Sequence, residues 1–216
     1  MVPDGGVVTS VVTEDGLELE SAWSEPTTTP RGVAVLCHPH PQHGGTMEAP
    51  LIRIVAGAMA DAGLKTLRFN FRGVGRSEGA WGGGEPEIVD VAAAAAAARE
   101  SQPDLPFGIA GWSFGAVTAL SWQLRKGDTS PLAAIAPALD LGDGRTAPTP
   151  EDLPAARRLF IIGDRDQFTA SGAIEEYATA AGGTSEVLAG SDHFFYFREA
   201  KVAALVAAHL LSGHTE

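Results

Sequence analysis

Apolar and β-branched residues gather in short runs along the chain, and stretches of three-and-four spacing lie between them. The runs are VAVLC (33–37), LKTLRFNF (64–71), FGIAGW (107–112), LAAIA (132–136), RLFIIG (158–163) and TSEVL (184–188). Runs of this length with little alternation read as strands buried on both faces, the pattern of a parallel sheet. Upstream, VVTSVV and LELESAW are separated by a short polar turn and predict an N-terminal hairpin. Helical spacing joins Leu51, Ile54, Val55, Ala58 and Met59, with Gly63 where a C-terminal cap belongs and a start expected near Glu48. Val117, Leu120 and Leu124 repeat the pattern ahead of Gly127, and Val202, Leu205, Val206, His209 and Leu210 form the last helix. The alanine-rich stretch VAAAAAAA (91–98) has high helix propensity; its helix is expected to begin near Glu85 and Pro86 and to end before Pro103. Repeated strand-helix-strand units need right-handed crossovers, so the expected fold is α/β, a mainly parallel sheet with helices on both faces. Ligands in such sheets bind beyond the carboxyl ends of the strands.

Composition narrows the class. The chain has 216 residues, 44% hydrophobic and 19% charged, enough to bury one core, and without a linker or repeat it is expected to form a single domain over 1–216. Its formal charge of −12 argues against nucleic acid or an anionic membrane as partner. One cysteine, Cys37, permits no internal disulfide, and MVPDGGVVTSVV has neither a basic start nor a long apolar run, so a cytoplasmic protein is expected. The alanine stretch is far below the roughly 20 residues that span a bilayer.

The chemistry-bearing segment is FGIAGWSFGAVTAL (107–120), which reads as strand, sharp turn and helix with Ser113 at the turn. Gly111 and Gly115 flank the serine where a strained turn and a close strand-helix approach leave no space for a Cβ, as a nucleophile elbow requires. The five-residue pattern alone is weak, since GRSEG (75–79) also matches it. Ser77, however, leads into the breaker-rich AWGGGEPE and cannot sit between a strand and a helix. A serine hydroxyl needs a base within hydrogen-bond reach and a third group to orient that base. His193, in the Gly-Ser-Asp loop after the last predicted strand, is the candidate base, whereas His209 and His214 read as helix and tail residues. An acyl-transfer site also needs donors for the oxyanion. The elbow supplies the backbone N–H of Phe114. After strand 33–37, Pro39 and Pro41 have no N–H, which leaves His40 nearest the strand end and Gln42 beyond it.

Five blocks, LCHPHPQHGGTM (36–47), LRFNFRGVGRSEG (67–79), GWSFG (111–115), IIGDRDQF (161–168) and GSDHFFY (190–196), resemble in content and order the α/β-hydrolases, and among them the small uncapped bacterial hydrolases akin to dienelactone hydrolase. The resemblance covers nearly the whole chain. It implies an α/β-hydrolase fold with no lid domain, an open serine-hydrolase site and no cofactor, but no particular substrate; with every triad position filled, the expected activity is hydrolysis of a small carboxylic ester or thioester through an acyl-enzyme on Ser113, without a metal. The resemblance further implies that the triad acid is Asp166, in a G-x-x-D setting, with Asp140, just past the LAAIA strand, an alternative because some α/β-hydrolases carry the acid there; Asp164 reads as capping the loop through backbone N–H groups. Gln167 and Phe168 follow the acid where the family more often has Asp-Pro or Asp-Asp.

Rival readings exist. His38, His40 and His43 have the H-x-H-x-x-H spacing with which zinc hydrolases of the metallo-β-lactamase type begin, but Gln42 replaces that family's aspartate and no histidine follows until His193. A hydrolase-fold binding protein without turnover is the non-enzymatic alternative. Cys37, at the end of an apolar run, reads as a small buried hydrophobe rather than a nucleophile. Arg72 and Arg76 are expected to shape a loop rather than receive an anion. Trp112, Phe168 and Phe194 are the expected substrate-binding aromatics, with Trp81, Phe195 and Tyr196 nearby. Pro137 to Pro154, the longest irregular stretch, is too short for a lid.

Overall fold

The computed structural model describes residues 7–140 and 146–212. Eight strands form one sheet: β1 (Val7–Val12), β2 (Glu18–Ser24), β3 (Gly32–Cys37), β4 (Leu64–Phe69), β5 (Phe107–Trp112), β6 (Leu132–Ile135), β7 (Arg158–Gly163) and β8 (Thr184–Leu188). Their spatial order is β1-β2-β4-β3-β5-β6-β7-β8, with β1 and β2 antiparallel to their neighbours and the rest parallel. Every residue of β3, β5, β6 and β7 is buried, which is why those segments read as unbroken runs. The hairpin is the one predicted from VVTSVV and LELESAW.

Five helices follow: α1 (Pro50–Asp61), α2 (Glu87–Ser101), α3 (Phe114–Lys126), α4 (Ser171–Ala180) and α5 (Glu199–Leu211). Right-handed crossovers assign their faces. From β3 the chain steps through α1 to β4 in one direction, then from β4 through α2 back past β3 to β5 in the other, so α1 and α2 lie on opposite faces. Consistent with this, α1 packs on α5 and α2 on α3. The reversal leaves a crevice at the carboxyl ends of β3 and β5, the place where open α/β sheets bind ligands. Register brings these ends level, with Cys37 opposite Gly111 and Trp112 opposite Ile135.

Local departures from the expected elements have simple causes. Helix α1 begins at Pro50 rather than near Glu48, because proline at the first helical position gives up no needed N–H. Strand β4 stops at Phe69, where Asn70 turns its side chain to Glu20 and to the N–H of Met47. Between β6 and β7 the described residues hold one regular element, a single 3-10 turn at Pro150–Asp152. No helix among the described residues is long and apolar enough to cross a membrane.

Candidate functional site

Ser113 occupies the turn between β5 and α3 with φ 56° and ψ −117°, a conformation that L-residues rarely adopt. Both flanking glycines are required sterically. A Cβ on Gly111 would collide with the Gly115 carbonyl, and one on Gly115 would come within 2.5 Å of the His38 carbonyl. The helix therefore starts hard against the strands, and the Phe114 N–H lies in its first turn, where backbone donors have no intrahelical acceptor.

His193 follows β8 and has a buried side chain, as does Asp166 in the loop after β7. The two meet through His193 Nδ1 and Asp166 Oδ2 at 2.8 Å, so the ring's Nε2 is the nitrogen left to exchange a proton. Burial works to raise the Asp166 carboxyl, but its hydrogen bond and charge interaction with His193, together with N–H donors from Phe168 and Thr169, outweigh that and hold it below its ordinary value. The two loops are also joined through their backbones. Arg165 donates its N–H to the Ser191 carbonyl at 2.9 Å. The His193 N–H donates to Gln167 Oε1 at 3.2 Å, and the His193 carbonyl accepts from Trp112 Nε1 at 3.2 Å. The imidazole is thus fixed from the acid loop and from the residue before Ser113.

Ser113, His193 and His40 line one cavity of about 370 Å³. Trp112, Phe168 and Phe194, expected to bind substrate, line it too, together with Tyr196 and with Leu51 of α1. The Phe114 side chain is not in this wall; it is buried against Phe71, Trp81 and His40, which leaves only its backbone for the site. The His40 ring stacks on His43 at 4.5 Å, and its Nδ1 accepts the Gln42 N–H.

The other candidates separate. Asp164 accepts the N–H of Gly190, the loop-capping role expected of it. Asp140 lines the cavity, but His193 Nδ1 is committed to Asp166. Ser77 is held inside its loop, donating to the Asn70 carbonyl and accepting from Glu20 N–H. Arg72 is locked by Asp90 and Asp15, and Arg76 by Glu20, so neither is part of the cavity wall. His38 is fully buried, with Nδ1 donating to the Pro39 carbonyl and Nε2 accepting from Phe71 N–H. Both its ring nitrogens are occupied, which removes it from a three-histidine zinc set, and the described residues contain no group of three or more His, Cys, Asp or Glu placed to hold a metal ion. Cys37 is buried, and burial pushes its thiol up, away from nucleophilic use. His209 is a half-buried helix residue near the Arg157 carbonyl, and His214 lies outside the described residues.

Glu199, at the start of α5, also lines the cavity and had no signal in the sequence. The bonds from Gln167 and Trp112 to His193 were equally hidden, because they depend on loop paths rather than spacing.

The family model described as serine aminopeptidase, S33, matches residues 28–160, more than half of the chain. Among solved structures, the chain is similar to an α/β serine hydrolase homologue from Coxiella burnetii, at 27% identity and a TM-score of 0.83 over 97% of this chain and 98% of that one. It is similar to an α/β serine hydrolase without a lid from Xanthomonas campestris, at 26% identity and a TM-score of 0.81 over 97% and 94%. Uncharacterized protein RP471 of Rickettsia prowazekii is 26% identical over 206 residues, which cover 90% of this chain and 84% of that protein.

Proposed function

The chain belongs to the serine aminopeptidase S33 family, as an α/β serine hydrolase without a lid, and from that premise we propose that it cleaves small carboxylic esters or thioesters through an acyl-enzyme on Ser113. The observation that carries this reading is the 2.8 Å bond between His193 and Asp166, formed beside the cavity that holds the strained Ser113. Ser113 Oγ attacks the acyl carbon as His193 Nε2 takes its proton. That proton then passes to the leaving alkoxide or thiolate. In the second half His193 takes a proton from water, whose oxygen attacks the acyl carbon, and returns it to Ser113 as the acid departs. Asp166 stays ionised throughout; it orients the ring and stabilises the imidazolium. The N–H groups of Phe114 and His40 are assigned to the oxyanion, where aligned backbone dipoles need no reorganisation as charge develops. No metal or organic cofactor enters these steps.

The test is labelling by a serine-directed fluorophosphonate, together with hydrolysis of a nitrophenyl ester. Ser113→Ala is expected to remove the label and to lower kcat on the order of 10⁴- to 10⁶-fold. A label on Ser77, or activity abolished by a chelator, would overturn the assignment.

A further inference from the structure

The serine-histidine chemistry needs no aromatic side chain, yet the mouth of the cavity is built from them. Phe168, Phe194 and Tyr196 are 61%, 40% and 63% exposed, and all three line the cavity that holds Ser113 and His193. Large exposed apolar side chains are ordinary when scattered singly, whereas a contiguous group marks a surface that binds something. Their arrangement is ordered. Phe194 and Tyr196 stack at 5.7 Å with 24° between planes, Trp112 meets Phe194 edge-on at 6.1 Å, and Phe168 lies edge-on to the His193 ring at 4.6 Å. The backbone that carries Phe194 and Tyr196 is strained. Phe195 and Phe197 have φ of 55° and 64°, costly for residues with a Cβ. Fully buried Phe195 anchors the segment, and Phe194 and Tyr196 on either side of it reach the cavity wall.

Charge restricts the occupant further. Among the described residues that line the cavity, Glu199 contributes a carboxylate and no lysine or arginine is present. A planar apolar group satisfies the rings, and a negative charge on it would face Glu199.

We propose that the site selects esters carrying an aromatic ring without negative charge, seated against Phe194 and Tyr196. This rests on the serine-hydrolase reading and deepens it by naming the substrate class. Matched pairs test it: benzyl acetate against cyclohexylmethyl acetate for the alcohol side, and ethyl phenylacetate against ethyl cyclohexylacetate for the acyl side. Ring-ring contacts contribute beyond the area they bury, so kcat/KM is expected to favour the aromatic member of at least one pair by about 3- to 10-fold. Tyr196→Leu should bring that ratio close to one, and Tyr196 is exposed enough for the variant to fold. A carboxylate para to the reacting arm of benzyl acetate should lower kcat/KM by about tenfold, and Glu199→Gln should recover part of the loss. Equilibrium binding of the same pairs to Ser113→Ala separates the two readings. Turnover with no aromatic preference in either pair sinks the aryl site alone. Aromatic-selective binding without wild-type turnover sinks the hydrolase reading and leaves the aryl site standing, and absence of both binding and turnover sinks both.

Discussion

Single residues show how closely the elbow is fitted. Gly115→Ala would set a methyl group 2.5 Å from the His38 carbonyl and 2.6 Å from that of Cys37, two backbone atoms that cannot step aside. Helix α3 would have to withdraw from β3, at a cost of about 2–3 kcal/mol, and carry the Phe114 N–H with it. Denaturant unfolding should show the loss, with kcat falling as well in whatever fraction remains folded. His38 supplies a pH-dependent counterpart. Burial pushes its imidazole down to about 4, against an unfolded value near 6.5. Its folded state therefore resists protonation, so its contribution is fully present above about pH 6.5 and is lost as pH falls toward 4. A difference of this size corresponds to at most about 3 kcal/mol. The urea midpoint should drop across that window, and His38→Gln, which can still accept the Phe71 N–H, should lessen the drop, leaving the part due to His209, whose imidazole burial also lowers to about 4. An equally steep drop in the variant would remove His38 as the cause.

At the scale of elements, the loops after β7 and β8 act as one unit. Asp166 holds the His193 ring while its neighbour Gln167 holds the His193 N–H, so a single turn grips His193 at two points. Asp166→Asn is expected to lower kcat on the order of 10³- to 10⁴-fold, since its one oxygen would stay with the Phe168 and Thr169 N–H groups and its NH2 would face His193 Nδ1, favouring the wrong tautomer. Asp164→Asn keeps an oxygen for the Gly190 N–H and should cost far less, as should Asp140→Asn. If Asp140→Asn proves the damaging change, the acid has been placed on the wrong strand. Gln167→Ala removes the side-chain acceptor of the His193 N–H and should reduce kcat/KM by about 3- to 10-fold. The sequence exposed the elements with strong signals. The fully buried β3, β5 and β7 and the glycine-flanked Ser113 could be read directly, because burial on both faces and a Cβ-free turn each leave a mark in residue type. Helix α4 left a weaker mark. Within SGAIEEYATA only Ile174 and Ala178 are fully buried, too few to set a period. The bond from Gln167 to His193 crosses 26 positions between two irregular loops, so no spacing rule encodes it.

Across the whole molecule, the connection between β6 and β7, which holds no lid among the described residues, sets the limit on substrate length. Each buried methylene contributes about 0.8 kcal/mol, but only while there is wall to cover it. With a cavity of about 370 Å³ and one 3-10 turn described between β6 and β7, kcat/KM for unbranched acyl chains should peak at about two to six carbons and fall beyond them. A clear preference for long chains would require a cover from outside the chain. The net charge of −12 should also disfavour strongly anionic substrates such as coenzyme A thioesters, all the more because Arg72 and Arg76 are bound up in ion pairs. The strand order has one more consequence, and it concerns time. The bond that ties Trp112 to His193 spans 81 positions, so a ribosome adding about 5–20 residues per second completes the elbow several seconds before it makes the base. Throughout that interval the nascent chain carries Ser113 without the histidine that the proposed mechanism pairs with it. On that mechanism, hydrolysis begins only once β8 and the loop beyond it have been synthesised and docked.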